Sequence, residues 1–272
     1  MKEYTCMTFE KKDRVAVITK TNEHQGFCMS QELLVEEIRA LRDAAEDDDV
    51  RVIVITSISG IHQGAYAVSK YVMENATPMQ VREVIAKGHE LGRLIETIEK
   101  PIIGVVKKEA VGGGFETLQP CDFIICSEDA KFQQPEAESG TIAGWGGILR
   151  LTRMIGWRNA QRMLLACEPV YGKEAAEIGI ATRAVSAQEV DATVDELCNR
   201  LKRYPAQSLA YTKTDMHKAW EMDLRSAMDW EIQALSVLMA EGLHRDSIPM
   251  IMRGEEPVFP EYHRLIKGDE WK

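Results

Sequence analysis

The chain has 272 residues, 45% of them hydrophobic and 28% charged, which supplies a full apolar core and does not fit a disordered chain. A formal net charge of -10 at pH 7 argues against a nucleic-acid surface, which needs clustered positive charge. No window approaches the ~18 apolar residues of a membrane-spanning helix, and MKEYTCMTFEKKDRVAV lacks the apolar stretch of a secretory signal, so a cytoplasmic protein without nucleic-acid or membrane partners is expected.

Val15 to Thr19 reads as the first strand. Ser30 is placed to cap a helix that carries Leu33, Leu34, Ile38 and Leu41 at helical spacing. The acidic run Glu46 to Asp49 closes that helix. Val50 to Thr56 is a nearly continuous apolar run, the pattern of a strand covered on both faces. A loop from Ser57 to Tyr66 holds Gly60 and Gly64. A long helix is predicted over Pro78 to Glu99, stopped by Pro101. Ile102 to Val106 and Phe123 to Cys126 are further strands. Strands alternating with helices predict βαβ units and a mainly parallel sheet. Beyond Ala175 the pattern turns helical, with Val190 to Arg203 and Ser208 to Leu243 the clearest spans. The predicted organisation is therefore an α/β core over residues 1–200 and a helical C-terminal part over 201–272.

Cys6, Cys28, Cys121, Cys126, Cys167 and Cys198 form no CxxC pair, and no metal-ligand cluster is visible in the spacing. Unpaired thiols in a reducing compartment are the expectation. Two glycine-containing loops follow two of the strands: Gly60 to Ala65, and Ala110 to Glu116 with the triplet Gly112, Gly113 and Gly114. Glycines opening a helix free backbone N–H groups that can face developing negative charge. Two such loops facing each other make an oxyanion hole, whereas a lone triplet can equally serve tight packing. The phosphate-loop and dinucleotide patterns are absent. Glu116 follows the triplet directly, and Glu136 lies in Phe132–Glu136, FQQPE. Each alone can be an ordinary first-turn glutamate. Beside an oxyanion loop the two read as an acid/base pair. Gly140 to Gly147, GTIAGWGG, reads as a turn and a helix start, with room for substrate.

From Pro101 to about Val185 the sequence resembles the crotonase superfamily, the enoyl-CoA hydratase/isomerase family, in motif order: PIIGVVKKEAVGGGFE, then CDFIICSEDAKFQQPEAESGTIAGWGG, RLTRMIG and EAAEIGIATRAV. The resemblance implies a spiral of ββα units with a helical C-terminal oligomerisation part, and a homotrimer or homohexamer. It implies an enoyl-CoA hydratase that adds water to the 2,3 double bond of an acyl-CoA thioester. Coenzyme A is then part of the substrate, and no separate cofactor or metal is implied. Carried over by position, Ala65 and Gly113 are the oxyanion donors and Glu116 and Glu136 the catalytic glutamates. Gln63, Gly64, Tyr66, Ala67, Gly112, Gly144 and Trp145 are expected around coenzyme A and the acyl group.

The departures cluster where the acyl group should lie. TNEHQGFCMSQELL stands in place of the family's common NRP…NAL stretch, GIHQGAYAVSK in place of FxAGADIKE, and Ala143 in place of proline. Glu138 adds a third carboxylate and Trp145 adds bulk beside Gly144. These departures keep other readings open: hydration of a cyclic or dienoyl thioester, isomerisation, C–C hydrolysis, or a non-catalytic coenzyme A-binding protein. His62 reads as a packing or pocket residue, since a side chain beside a site need not do chemistry, and His89 as structural or pocket-lining, because Gly144 stands where the aroyl-CoA dehalogenases of the family carry the aspartate that a catalytic histidine needs.

Overall fold

The structure is a computed structural model, and it describes residues 4–64, 76–257 and 259. In chain order the elements are β1 (Met7–Lys12), β2 (Val15–Lys20), α1 (Gln31–Glu46), β3 (Val52–Ser57), β4 (Ile61–His62), α2 (Pro78–Thr97), β5 (Ile102–Val106), β6 (Glu109–Val111), α3 (Gly113–Glu116) and β7 (Phe123–Ser127). Then follow β8 (Lys131–Gln133), α4 (Gly147–Leu164), β9 (Val170–Tyr171), α5 (Gly172–Ile178), β10 (Arg183–Val185), α6 (Val190–Leu201), α7 (Ala206–Glu221), α8 (Leu224–Glu241) and α9 (His244–Met252). One sheet runs β1-β2-β3-β5-β7-β10, and a smaller one runs β4-β6-β8-β9. The first is parallel apart from the β1–β2 hairpin, and the second is parallel apart from β8–β9.

The apolar run in β3 is explained by its two faces. Ile53 and Ile55 pack with Leu33, Leu34, Ile38 and Leu41 of α1 and with Leu91 and Ile95 of α2. Val52 and Val54 pack on the opposite side with Ile103, Val105, Val190, Val194 and Leu201. The strand period of two thus divides one hydrophobic run between two clusters, each under helices. Ser30 caps α1 as expected, its hydroxyl accepting from Leu33 N at 3.1 Å. The start of α2 is fixed by a capping box of Thr77 and Gln80, with Pro78 in its first turn.

Three features differ from the predicted elements. β1 was not predicted; it pairs with β2 through Asp13 and Arg14, both at positive φ (47° and 64°), the conformation of a tight two-residue hairpin turn. The strands of the smaller sheet are two or three residues long, too short to leave a periodic signal, and β4 lies inside the predicted loop from Ser57. The predicted span from Ser208 to Leu243 is two helices, because Asp223 caps α8 by accepting from Ser226 N at 3.1 Å.

A buried ion pair lies in the core next to the first loop. Lys20 is 1% exposed and Glu37 fully buried, with Nζ 3.1 Å from Oε2. The contact is ionic rather than a directed hydrogen bond, and Met29 Sδ stands 3.8 Å from the same Nζ.

Candidate active site

The two glycine loops lie against each other. β4 pairs with β6, matching Ile61 with Glu109 and His62 with Ala110. A Cβ built on Gly64 would lie 3.4 Å from the Val111 carbonyl oxygen and 3.8 Å from Gly113 N. On the other side of the contact, Gly114 has no room for a side chain, since a Cβ there would meet the His62 oxygen at 2.3 Å. Gly113 opens α3, at the position where a helical N–H has no partner within the helix. Ala65, the other expected donor, lies outside the described residues, as do Tyr66 and Ala67. Gln63 donates its side-chain amide to Glu109, and Glu109 pairs with Lys131 at 2.8 Å.

His62 and His89 hold backbone. His62 is 1% exposed, and its Nε2 is 2.9 Å from the Val105 oxygen, which ties β4 to β5. Burial pushes its pKa down to about 3, with Lys20 adding to the effect, so the ring is neutral. His89 hydrogen-bonds the backbone of Gly144, and burial, Arg150 and Arg93 hold its pKa below the usual histidine range.

Glu116 ends α3 and is 4% exposed. Its Oε1 accepts from Trp145 N at 2.7 Å and Gly147 N at 2.9 Å. The glycine run explains how backbone comes so close. A Cβ on Gly147 would sit 2.8 Å from Glu116 Oε1, so a larger residue there would push the carboxylate off its N–H donors. Burial raises the pKa of Glu116, opposed by the backbone N–H groups of Gly147, Trp145 and Gly144, which favour the carboxylate form.

Glu136 opens a short 3-10 turn (Glu136–Ser139) that β8 delivers to the site. Its Oε1 faces Gly112: a Cβ there would lie 2.7 Å away. Gly112 has φ 53° and ψ -131°, open only to glycine in practice. Burial pushes the Glu136 pKa up to about 7, and the charge on Glu116 adds to the rise. The two carboxyls therefore sit in unlike environments, one held by three backbone donors and one titrating near neutrality.

Sequence reasoning missed Gln134 and Gln119. Both are buried. With the Gln134 amide turned so that both neighbours are satisfied, its nitrogen donates to Glu136 Oε2 at 3.2 Å and Oε1 at 3.3 Å, and its oxygen accepts from Gln119 Nε2 at 3.0 Å. The signal was a glutamine just past β8, two residues before the glutamate. Nothing local marks it as pointing at the carboxylate.

One expectation needs correction. Trp145 does not add bulk to a pocket: it is 5% exposed and belongs to the core, with its indole lying against Gly88. Glu138, the third carboxylate, lies on the same 3-10 turn as Glu136 and is exposed. An apolar cavity of about 230 Å³ does open beside Glu136, lined by Ala137, Ile142, Ala143, Ile148 and Leu164 among others.

Related sequences and the same fold occur in other proteins. The chain is 30% identical over 237 residues to a crotonyl-CoA hydratase of Syntrophomonas wolfei, covering 87% of this chain and 91% of that protein. It is 25% identical over 248 residues to a short-chain-enoyl-CoA hydratase of Clostridium acetobutylicum, covering 90% and 94%. The crystal structure of enoyl-CoA hydrates subunit I from Geobacillus kaustophilus superposes with a TM-score of 0.88 at 26% identity, covering 96% of this chain and all of the other. The model of the enoyl-CoA hydratase/isomerase family matches residues 10–260, so the loops and glutamates above lie within the matched span, and the chain belongs to that family, within the crotonase superfamily.

Proposed function

We propose that the protein is an enoyl-CoA hydratase acting on a 2-enoyl-CoA thioester. The observation that carries this is the pair of buried glutamates in unlike environments, Glu116 on backbone donors and Glu136 titrating near neutrality, beside two abutting glycine loops. The thioester oxygen lies between the N–H groups of Ala65 and Gly113, and loss of one such donor typically costs about 2.7–4 kcal/mol at the transition state. Glu116, as carboxylate, takes a proton from water while the water oxygen bonds to the β-carbon. Glu136, as acid, gives its proton to the α-carbon, which receives the electron pair of the double bond. One proton then passes from Glu116 to Glu136 and the pair is reset. Water adds as proton and hydroxide with no net oxidation, so the balance calls for no electron carrier.

Coenzyme A lies along Gln63, Gly64, Ala65, Tyr66 and Ala67, with Gly112 and Gly144 lining the thioester end. The apolar cavity beside Glu136 supports an uncharged acyl chain. The protein works as a homotrimer or homohexamer in which residues 201–272 take part. In support, Met216, Leu224, Met228, Ile232 and Leu235 of α7 and α8 are more than half exposed. All six cysteines are unpaired, which supports a cytoplasmic setting. Among the described residues no helix is long and apolar enough to cross a membrane.

The test is turnover of crotonyl-CoA, followed by loss of the conjugated thioester absorbance. Glu116→Gln and Glu136→Gln, each nearly isosteric, should fold, bind coenzyme A and lose about 10²–10⁴ in rate. The double variant should lose far less than the product of the two losses, because the pair acts as a unit. Turnover that needs only Glu136 points instead to a one-base isomerisation. Normal turnover in both variants ends the hydratase reading. Light scattering should give a multiple of the 30.6 kDa chain mass.

A further inference from the structure

We propose that Cys6, His24 and Glu32 form a surface site for a borderline-soft divalent cation of the zinc class. The sulfur, one ring nitrogen and one carboxylate oxygen all lie within 4.8 Å of one another. Four-coordinate zinc, with bonds of about 2.0–2.3 Å, sets its ligands about 3.5 Å apart, so a modest rotation of the two outer side chains closes the set. Cys6 is fully buried and forms the floor, whereas His24 and Glu32 are exposed above it. An ion there takes three protein ligands and keeps a fourth position for water.

The arrangement around these side chains is that of a supported site. Glu36 fixes the backbone at the floor, accepting from Thr5 N at 2.9 Å and Cys6 N at 2.9 Å. Thr5 Oγ1 donates to Glu32 Oε1 at 2.8 Å, and Gln25 Nε2 donates to Glu32 Oε2 at 3.3 Å. Hydrogen-bonded carboxylates of this kind are what orient a metal ligand. The three ligand types are also not those of an ordinary acidic patch: a thiol, an imidazole and one carboxylate match a zinc-class ion. On binding, the Cys6 S–H bond breaks, its proton passes to solvent, and the sulfur lone pair bonds to the ion.

The site accounts for a stretch that the proposed reaction leaves unused. His24 and Gln25 belong to TNEHQGFCMSQELL, the segment that departs from the family pattern. The spacing showed no metal motif because the ligands come from just before β1, from the 3-10 turn Glu23–Gln25 and from the first turn of α1. The stretch between these two turns also reaches the first glycine loop: Gln63 N donates to the Phe27 oxygen at 3.3 Å, and Met29 N to the Gly64 oxygen at 3.1 Å. A bound ion would therefore clamp the segment on which Gln63 and Gly64 rest.

Cobalt(II) is the probe, titrated into the metal-stripped full-length protein. The expected result is one equivalent bound, with a thiolate-to-cobalt charge-transfer band and the intense visible bands of a four-coordinate ion, both removed by added zinc. Cys6→Ser should lose the charge-transfer band although five cysteines remain. His24 is exposed, so His24→Ala should fold, and it should bind cobalt at least about tenfold more weakly. Gln25→Met should weaken binding by about 10–100-fold, the usual effect of removing an outer hydrogen bond to a ligand. At equal concentration, zinc should raise the melting temperature of the parent protein more than that of His24→Ala. A titration without a thiolate band, or one unchanged in His24→Ala, overturns the proposal.

Discussion

Gly112 and Glu136 share one space: a methyl group on the glycine would lie 2.7 Å from Oε1 of the carboxylate. Gly112→Ala should therefore push the Glu136 side chain aside. A displacement of about an ångström costs about 10²-fold in rate. The backbone at φ 53°, ψ -131° adds about 1–3 kcal/mol of lost stability. Steady-state kinetics should show the loss in kcat rather than KM, and a variant with parental kcat would separate Glu136 from the chemistry.

The glutamate pair should work with one proton shared between them. In the proposed reaction hydration starts with that proton on Glu136 and dehydration with it on Glu116, so both directions need the same total protonation. Because Glu136 has its pKa pushed up to about 7, kcat/KM should fall as pH rises through about 7, with the same alkaline limb in both directions. A profile flat from about pH 6 to about pH 9 would count against the assignment.

Glu136 should also leave a mark on stability. Its folded pKa of about 7 lies above the ordinary value of 4.5, so between those values the folded state binds the extra proton. The protein is favoured by this group at low pH, and that advantage is lost as pH rises through about 7. Glu136→Gln carries no charge to bury. It should melt close to the parent near pH 5 and above it near pH 8, by less than the full shift implies, since the side chain is partly solvated. Equal melting temperatures at both pH values would contradict the burial argument.

Gly88→Ala tests the wall behind Glu116. The new methyl group would come within 2.1 Å of the Trp145 indole, so the ring or α2 has to shift. Overpacking of this kind costs about 1–3 kcal/mol. Since Trp145 N holds Glu116 at 2.7 Å, activity should fall together with melting temperature. Loss of stability with full activity would show that the Trp145 backbone stays put when its ring moves.

The sequence carried the parts of this site that local pattern encodes. Ser30 at the start of α1 and the two-faced run of β3 follow from capping and from period-two burial. Glu116 and Glu136 stand out because each follows a distinctive motif. What escaped depends on contacts between distant residues. Gln134 meets Glu136 only because the chain turns after β8, at Pro135, and its second partner, Gln119, comes from the turn that follows the helix ending at Glu116. The direction of the Trp145 ring is set by Gly88, 57 positions earlier, where the missing side chain makes a seat for it. The unlike surroundings of the two carboxyls were equally hidden, since they depend on which one the backbone N–H groups surround.

The Lys20–Glu37 pair constrains how this chain can change by descent. Each member is almost without solvent, so losing either one strands the other as a lone charge in the core, at a cost of about 3–5 kcal/mol. Replacing both at once with apolar residues of similar volume is close to neutral. The two codons, seventeen positions apart, thus behave as a single heritable unit. A lineage carrying this pair either keeps both or crosses a fitness valley in which the protein hardly folds, and that barrier stands even though neither residue touches substrate in the proposed reaction.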